Sequence, residues 1–506
     1  MDIARPFLVL ALLLFSISSA SAQSDDVAGR VTVSGLEPGL IENLNIDPDQ
    51  PINDLAAQLL HALEQSGYIL ATVTTVSDRH LHVDLGKITL ITVTDLGPDT
   101  ERTIKDLLSN VRKNPKLAEI DRALALINDL PGVSATFAIK RIEGENSFEV
   151  VVSGSERWQF GALSFDSTPR NQFAQNRINL QQDFYGVATG GDVVRFQGVY
   201  IDGDGKPEQH SIFAAYQRPI GSQGAYAEIG YGDIETEVDV RGESTAEITS
   251  TGFTIDPGIV TNHDFFGQFA VFTLGYPVTR YHDRSTYLVG NLDYISDDTS
   301  GVGDTNTWTV DLSLFHSYQS QTGSSFAVAV TLGGGDTDSY IDADDGDFYH
   351  LQLGSGYIQP LSAISPATEL RLEGYGQIST TGTPNSKTIG LGGTDFLRGY
   401  QSSAFSGNSG FFGTIEAAHA FDFTGNIFQH VVPFVFADFG MVQNPDKKQN
   451  TTTRPSSDGL VSIGFGAKIN MTQSVLLDGY VGVPMMEDAN DRIPGPVGYM
   501  KLTWSW

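Results

Sequence analysis

The chain has 506 residues, with 30 Lys and Arg against 61 Asp and Glu, a net charge of −31. Phosphate backbones and anionic lipid surfaces are held mainly by Lys and Arg, so this balance argues against nucleic acid as a partner and against a polybasic membrane-surface role. There is no cysteine, which removes disulfides, thiolate catalysis and cysteine metal sites together. A content of 54 glycines and 10% aromatic residues, with only 40% hydrophobic residues, is unlike a helical globular enzyme.

Residues 1–22 read as a secretory signal peptide, with an apolar core from Phe7 to Phe15 followed by the small-residue cleavage pattern Ala20-Ser21-Ala22. The alternative is a single anchor helix, for which the run is short. Beyond it no stretch of about 18 apolar residues occurs, so no spanning helix is expected.

Residues 23–154 mix helical and strand periods. "NDLAAQLLHALEQSGY" puts Leu55, Leu59, Ala62 and Leu63 on one helical stripe, with Asn53 as cap and Gly67 as stop. Strand-like "YILATVTTV" and "HLHVDLG" follow. The pattern then recurs: Ile104, Leu107, Leu108 and Val111 form one stripe, and Ile120, Ala123, Leu124 and Ile127 another ended by Pro131-Gly132. Alternating "SATFAIKRI" and "SFEVVVSG" close the unit. This predicts two small α/β modules, 23–88 (abbreviated) and 89–154, with almost no linker.

From residue 155 to 506 alternation takes over. In "TWTVDLSL", Trp308, Val310, Leu312 and Leu314 oppose Thr309, Asp311 and Ser313. In "ELRLEG", Leu370 and Leu372 oppose Glu369, Arg371 and Glu373. In the terminal "GYMKLTWSW", Met500, Leu502, Trp504 and Trp506 oppose Tyr499, Lys501, Thr503 and Ser505. A soluble sandwich alternates too. Segments near ten residues long, aromatics near segment ends, and tight turns exchanged with long polar loops favour a transmembrane antiparallel β-barrel of about 14–18 strands. The expected class is thus α+β modules followed by an all-β barrel of about 16 strands.

Enzyme signatures are missing: there is no G-x-S-x-G elbow, no phosphate loop and no H-E-x-x-H helix. His80 and His82 stand two apart on one strand face, but no third metal ligand is evident and a solvated face is the simpler reading. The acidic stretch of Asp336, Asp338, Asp342, Asp344, Asp345 and Asp347 lacks the order of a calcium loop and reads as a solvated outer loop. "IDGDGKPE" at 201–208 reads as a turn. No cofactor or metal site is expected.

Three stretches carry a family resemblance. "FLRGYQSSAFSGNSGFFGTIEAAHAF" resembles a V-R-G-[FY] loop tip followed by a G-[DN]-x-G…E strand; "PFVFADFGMV" resembles an F-x-D-x-G strand through Phe436, Asp438 and Gly440; "GFGAKINMTQSVLLDGYVGVPM" resembles a penultimate hairpin. Together with the order of segments they resemble the two-partner secretion transporters (TpsB proteins of the hemolysin secretion/activation type), within the POTRA-bearing outer-membrane barrels. Leu397 stands where Val is commoner, and Gly407-Asn408-Ser409-Gly410 where G-D-x-G is usual. The resemblance implies two periplasmic POTRA-like modules, an outer-membrane barrel and a loop (Leu397, Arg398, Gly399, Tyr400) folded into the lumen. There Arg398 would pair with Asp438 beside Phe436 and Gly440. Inward parity with Thr414 adds Glu416 to that wall, and alternation agrees for Asp438, since a carboxylate facing hydrocarbon is costly. Trp504 and Trp506 would serve as the assembly signal. The implied partners are a secreted TpsA-like exoprotein, outer-membrane lipid and lipopolysaccharide, and the barrel-assembly machinery. The alternative within the superfamily is a barrel-assembly or surface-export factor; outside it stand a diffusion porin, which needs no such modules, and a barrel phospholipase, which lacks its nucleophile motif.

Overall fold

A computed structural model describes residues 31–36, 40, 51–113, 115–143, 146–167, 176–202, 209–238, 247–248, 253–254, 263–299, 303–339, 345–380, 383–384, 387–394, 397–401, 404–423, 428–443, 457–488 and 493–506. The expected signal peptide (1–22) lies outside them, as do Asp342 and Asp344 of the acidic stretch and most of the 201–208 turn. The chain divides into two compact units, one ending at Gly86 and one running Lys87–Trp506.

In the first unit the helix Ile52–Gln65 buries Leu55, Leu59 and Leu63 against Leu81 and Val83, with Ala62 at the edge of the cluster. Strand His80–Asp84, which carries Leu81 and Val83, is central. It pairs in parallel with Thr32–Ser34 and antiparallel with Thr72–Ser77. The helix starts at Ile52 with Pro51 as N-cap, so Asn53 falls inside the first turn rather than capping it. Pro51 has φ −53°, close to the value its ring imposes, so the chain is already set to turn into a helix there. Gly67, at φ +87°, follows the helix end. His80 and His82 reach hydroxyls of the neighbouring strand: the His80 ring nitrogens lie 2.8 Å from Thr32 Oγ1 and 2.9 Å from Ser34 Oγ, and His82 Nδ1 lies 3.0 Å from Ser34 Oγ. Among the described residues no group of three or more ligand-type side chains could hold a metal ion.

The second unit opens with a similar module. Its sheet runs Lys87–Thr94, Ser147–Glu156, Val133–Arg141, the first pair parallel and the second antiparallel. Lys87 and Ile88 therefore already belong to this sheet, and its last strand extends to Glu156. Helices Pro98–Leu107, Ser109–Lys113 and Leu117–Asn128 bury Ile104, Leu107, Val111, Ile120, Ala123 and Ile127, and Leu108 is buried between the first two. Leu124 is only half-buried, whereas Leu126 is buried and lines a cavity shared with the barrel.

Sixteen described strands then close an antiparallel barrel. In chain order they are Gln159–Ser167, Asn176–Tyr185, Val193–Asp202, Gln209–Ile220, Ala225–Val238, His263–Arg280, Arg284–Thr299, Gly303–Gln319, Ser325–Ser339, Gly346–Pro360, Thr368–Ser379, Ser409–His419, His430–Gln443, Ser457–Asn470, Val475–Pro484 and Val497–Ser505. The twelfth is interrupted at Ala420 and continues as Phe421–Asp422. The last strand pairs with the first, Met500 opposite Ser167 through Ser505 opposite Ala162, and Trp506 exchanges backbone hydrogen bonds with Gly161. A closed barrel satisfies every ladder group and leaves no edge, which is what hydrocarbon demands.

Side chains follow the alternation. Val310 is 61% exposed on the outer face and its neighbour Thr309 1% on the inner one. Trp308, Leu312, Leu314, Met500, Leu502, Trp504 and Trp506 stand outside, and Asp311 and Ser313 inside. Among the described residues no helix is long and apolar enough to cross a membrane. Short turns gather at the end bearing the module, and the longer connections, including 380–408, at the far end.

Candidate functional site

The connection 380–408 leaves the eleventh strand at the far end and turns back inside. Its hairpin, Ile389–Leu391 paired with Phe405–Gly407, carries the tip inward. Ile389, Leu391, Leu397 and Tyr400 are buried with Val442 and Leu460 of the wall, so the loop has an apolar core of its own. Leu397 is in the left-handed region at φ +62°, a conformation that costs a non-glycine residue about 1–2 kcal/mol. A β-branched residue there would be more strained still. Gly440 makes the approach possible: a Cβ on it would lie 2.8 Å from Leu397 Cδ1 and 3.0 Å from Leu391 Cδ2. Gly399, at φ +107°, lies against the backbone of Gly482, 3.0 Å from where its own Cβ would be.

Arg398 is thereby delivered to the inner wall. Its Nε donates to Asp438 Oδ2 (3.0 Å) and its Nη2 to Oδ1 (2.9 Å), a two-pronged pair; its backbone N–H adds a bond to Oδ2 at 2.9 Å. Thr414 Oγ1 donates to Asp438 Oδ1 at 3.0 Å, so a carboxylate only 1% exposed receives four hydrogen bonds. The third prong, Nη1, donates to Glu416 Oε2 at 2.8 Å, while Arg371 Nη1 reaches the other Glu416 oxygen at 3.2 Å. Arg371 also donates to Glu369. The guanidinium lies over the Phe436 ring, 3.6 Å from centroid to Cζ, with Tyr480 at 5.9 Å. Tyr400 donates its hydroxyl proton to Val461 O (2.8 Å) and accepts from Met486 N (2.9 Å). All four tip residues and all four wall residues named from the sequence thus converge. Trp504 and Trp506 stand elsewhere, at the barrel seam, their rings 5.0 Å apart.

A second constellation, at the junction of module and barrel, is not foreseen by the sequence. Asp129 takes Arg280 in a bidentate pair, Nε to Oδ2 and Nη2 to Oδ1, both 2.7 Å, and accepts the Tyr287 hydroxyl at 2.6 Å. Arg122 Nη2 donates to the Pro277 and Gln223 carbonyls at 3.0 and 3.3 Å. Leu107, Leu126 and Leu130 of the module and Tyr226, Val289 and Phe315 of the barrel line a cavity of about 540 Å³ between them.

His282, in the turn after Arg280, places Nδ1 2.9 Å from Asp121 Oδ2. The Asp121 hydrogen bond and charge, with Asp283 adding, raise the imidazole above its ordinary value. A raised value stabilises the docked state fully below about pH 6.5 and loses that contribution as pH rises through the raised value. Trypsin cleavage flanking the turn, at Arg280 and Arg284, is therefore expected to be faster at alkaline than at mildly acidic pH. Asp121→Asn should flatten the difference relative to wild type at each pH.

The family model described as haemolysin secretion/activation protein ShlB/FhaC/HecB matches residues 288–469, the stretch that holds Arg371, Arg398, Glu416 and Asp438. Over that stretch, about a third of its length, the chain is similar to that family. It is an outer-membrane transporter of two-partner secretion, with a secreted TpsA-like partner implied. No curated protein matches it in sequence. Among solved structures, CdiB from Escherichia coli is 16% identical to the transporter, with a TM-score of 0.75 over 96% of this chain and 93% of that one. CdiB from Acinetobacter baumannii is 14% identical, with a TM-score of 0.71 over 95% and 91%. BamA from Haemophilus ducreyi lacking POTRA domains 1–3 gives 14% and 0.52 over 94% and 99%. At these identities the likeness is one of fold.

Proposed function

We propose that the transporter works by capture and threading, with no covalent step of its own. Residues 23–88 and 89–154 act as two periplasmic POTRA-like modules after removal of the 1–22 signal peptide, and 155–506 as the pore. The modules take up an unfolded, extended partner by adding its strands to a sheet edge. Both described sheets end in edge strands, Thr72–Ser77 in one and Val133–Arg141 in the other. The partner then threads through the barrel and folds outside. The apolar outer face sits in outer-membrane lipid and lipopolysaccharide, inserted by the barrel-assembly machinery with Trp504 and Trp506 in the terminal signal. The observation that carries the reading is Arg398 held by Asp438 and Glu416: a charged loop tip fastened in the lumen is a removable obstruction, and we assign it the gate.

The test compares extracellular proteins with and without this gene. One large polypeptide should disappear from the medium; an unchanged extracellular pattern with altered outer-membrane composition would favour the assembly-factor alternative. Expressed alone, residues 23–154 should be monomeric, mixed α/β by circular dichroism, and bind the N-terminal region of the missing polypeptide. A segment that partitions into detergent would defeat the assignment.

A further inference from the structure

The lumen holds a second ionic cluster, on a different stretch of wall. Lys387, at the base of the inward loop, places Nζ 3.5 Å from Asp293 Oδ2 and 3.5 Å from Asp311 Oδ2. Asp293 is on the seventh barrel strand and Asp311 on the eighth, whereas Arg398 is held by the twelfth and thirteenth. In a barrel of sixteen strands that five-strand separation is about a third of the circumference, so the loop is fastened along a chord of the lumen.

The wall is shaped for this contact. Asp311 and His350 lie opposite the same residue, Gly333, on the strand between theirs. A Cβ on Gly333 would fall 1.8 Å from Asp311 Oδ1 and 2.6 Å from His350 Nε2, so the missing side chain lets His350 reach across the strand to within 3.0 Å of Asp311. The loop backbone at Lys387 is fixed too: Gln377 Nε2, on a side chain 3% exposed, donates to Lys387 O at 2.7 Å and to Asn408 O at 3.0 Å.

We infer that Lys387 is a second anchor of the gate and the one that releases first. The inference rests on the gating role proposed for the loop. The two anchors differ in kind. Arg398 uses a planar fork with bonds of 2.8–3.0 Å and an aromatic ring beneath it. Lys387 offers a point charge to two carboxylates at 3.5 Å. A flexible ammonium at that distance is held by charge and one long hydrogen bond to Asp293, without the geometric lock of a bidentate guanidinium. Freeing it lets the base of the loop at Lys387 leave the seventh and eighth strands while the hairpin 389–391/405–407 stays packed on the twelfth and thirteenth and the tip stays seated. That opens one side of the lumen without dismantling the site around Asp438.

Full-length protein in planar lipid bilayers tests this by the frequency of large openings, a readout independent of any partner. Lys387→Met should raise that frequency several-fold, Lys387→Arg should restore the wild-type frequency, and Arg398→Ala should also raise it. If Arg398→Ala opens the pore and Lys387→Met does not, the second anchor is overturned and the gate stands. If neither changes the frequency, the gate fails and the inference with it. Should Lys387→Met fail to insert, Lys387→Cys with Asp293→Cys replaces it, the chain having no other thiol. A short reducible bis-thiosulfonate linker should suppress large openings and reductant should release them. Equal opening frequencies with and without the linker would overturn the proposal.

Discussion

A barrel carrying Arg398→Ala is expected to insert into the outer membrane in wild-type amount and to secrete its partner at about a tenth of the wild-type rate or less. The change leaves Asp438 and Glu416 facing one another's charge in a place built for a cation. Removing one partner of a buried pair costs roughly 3–5 kcal/mol. Applied to a loop with two positions, that is a shift in their ratio of about two to four orders of magnitude, enough to abolish a seated loop. The same cost is small beside the ladder bonds of a closed barrel, so the fold survives. Asp438→Ala should behave alike. Gly399→Ala should approach the same defect without touching a charge, since its φ of +107° and its contact with Gly482 admit no Cβ. The double swap, Arg398→Asp with Asp438→Arg, should restore secretion only in part, because the fork cannot be mirrored by a carboxylate. The measurement is secreted partner per unit of heat-modifiable barrel. Wild-type secretion from both single variants would end the gating reading, and loss of barrel from the membrane would reduce the pair to a structural role.

Deleting residues 497–506 is expected to remove the protein from the outer membrane altogether. The strand Val497–Ser505 pairs on one side with Val475–Pro484 and on the other with Gln159–Ser167. Without it both neighbours become open edges in hydrocarbon, where each unsatisfied amide or carbonyl costs several kcal/mol. No loop rearrangement supplies that many partners. Whole-cell fractionation should find the truncated chain degraded or in the periplasm, and normal surface exposure would sink the assignment of the terminal strand.

Much of this is legible in the sequence itself. Strict period two at Trp308 to Leu314 gave both faces of a strand, because side chains on a pleated sheet cannot do otherwise. The helical stripes of Leu55, Leu59 and Leu63 and of Ile104, Leu107 and Leu108 are legible for the equivalent reason. The pairing of Arg398 with Asp438 came from resemblance of motifs; parity said only that Asp438 and Glu416 face inward. What escaped depends on register between distant strands. Lys387 meets Asp293 from 94 positions away, and Arg280 meets Asp129 from 151. Neither spacing has a period, and both partners look like ordinary surface charges in one dimension. Gly333 escaped for a further reason. Its role is a vacancy between Asp311 and His350, and a glycine in a strand says nothing of which neighbours use the space.

The seam between the first and last strands also fixes the order of events in the life of the molecule. Gly161 meets Trp506, so the ring is completed only by a pairing between residues 345 positions apart. Pairings so distant along the chain form slowly. Every nascent or partly exported length is therefore an open ribbon with two sticky margins, and no shorter fragment can be a smaller pore. Biogenesis must keep a chain of this size from closing on itself or on its neighbours until the strand Val497–Ser505 is in place, and a chain interrupted before that strand yields waste rather than a leaky channel.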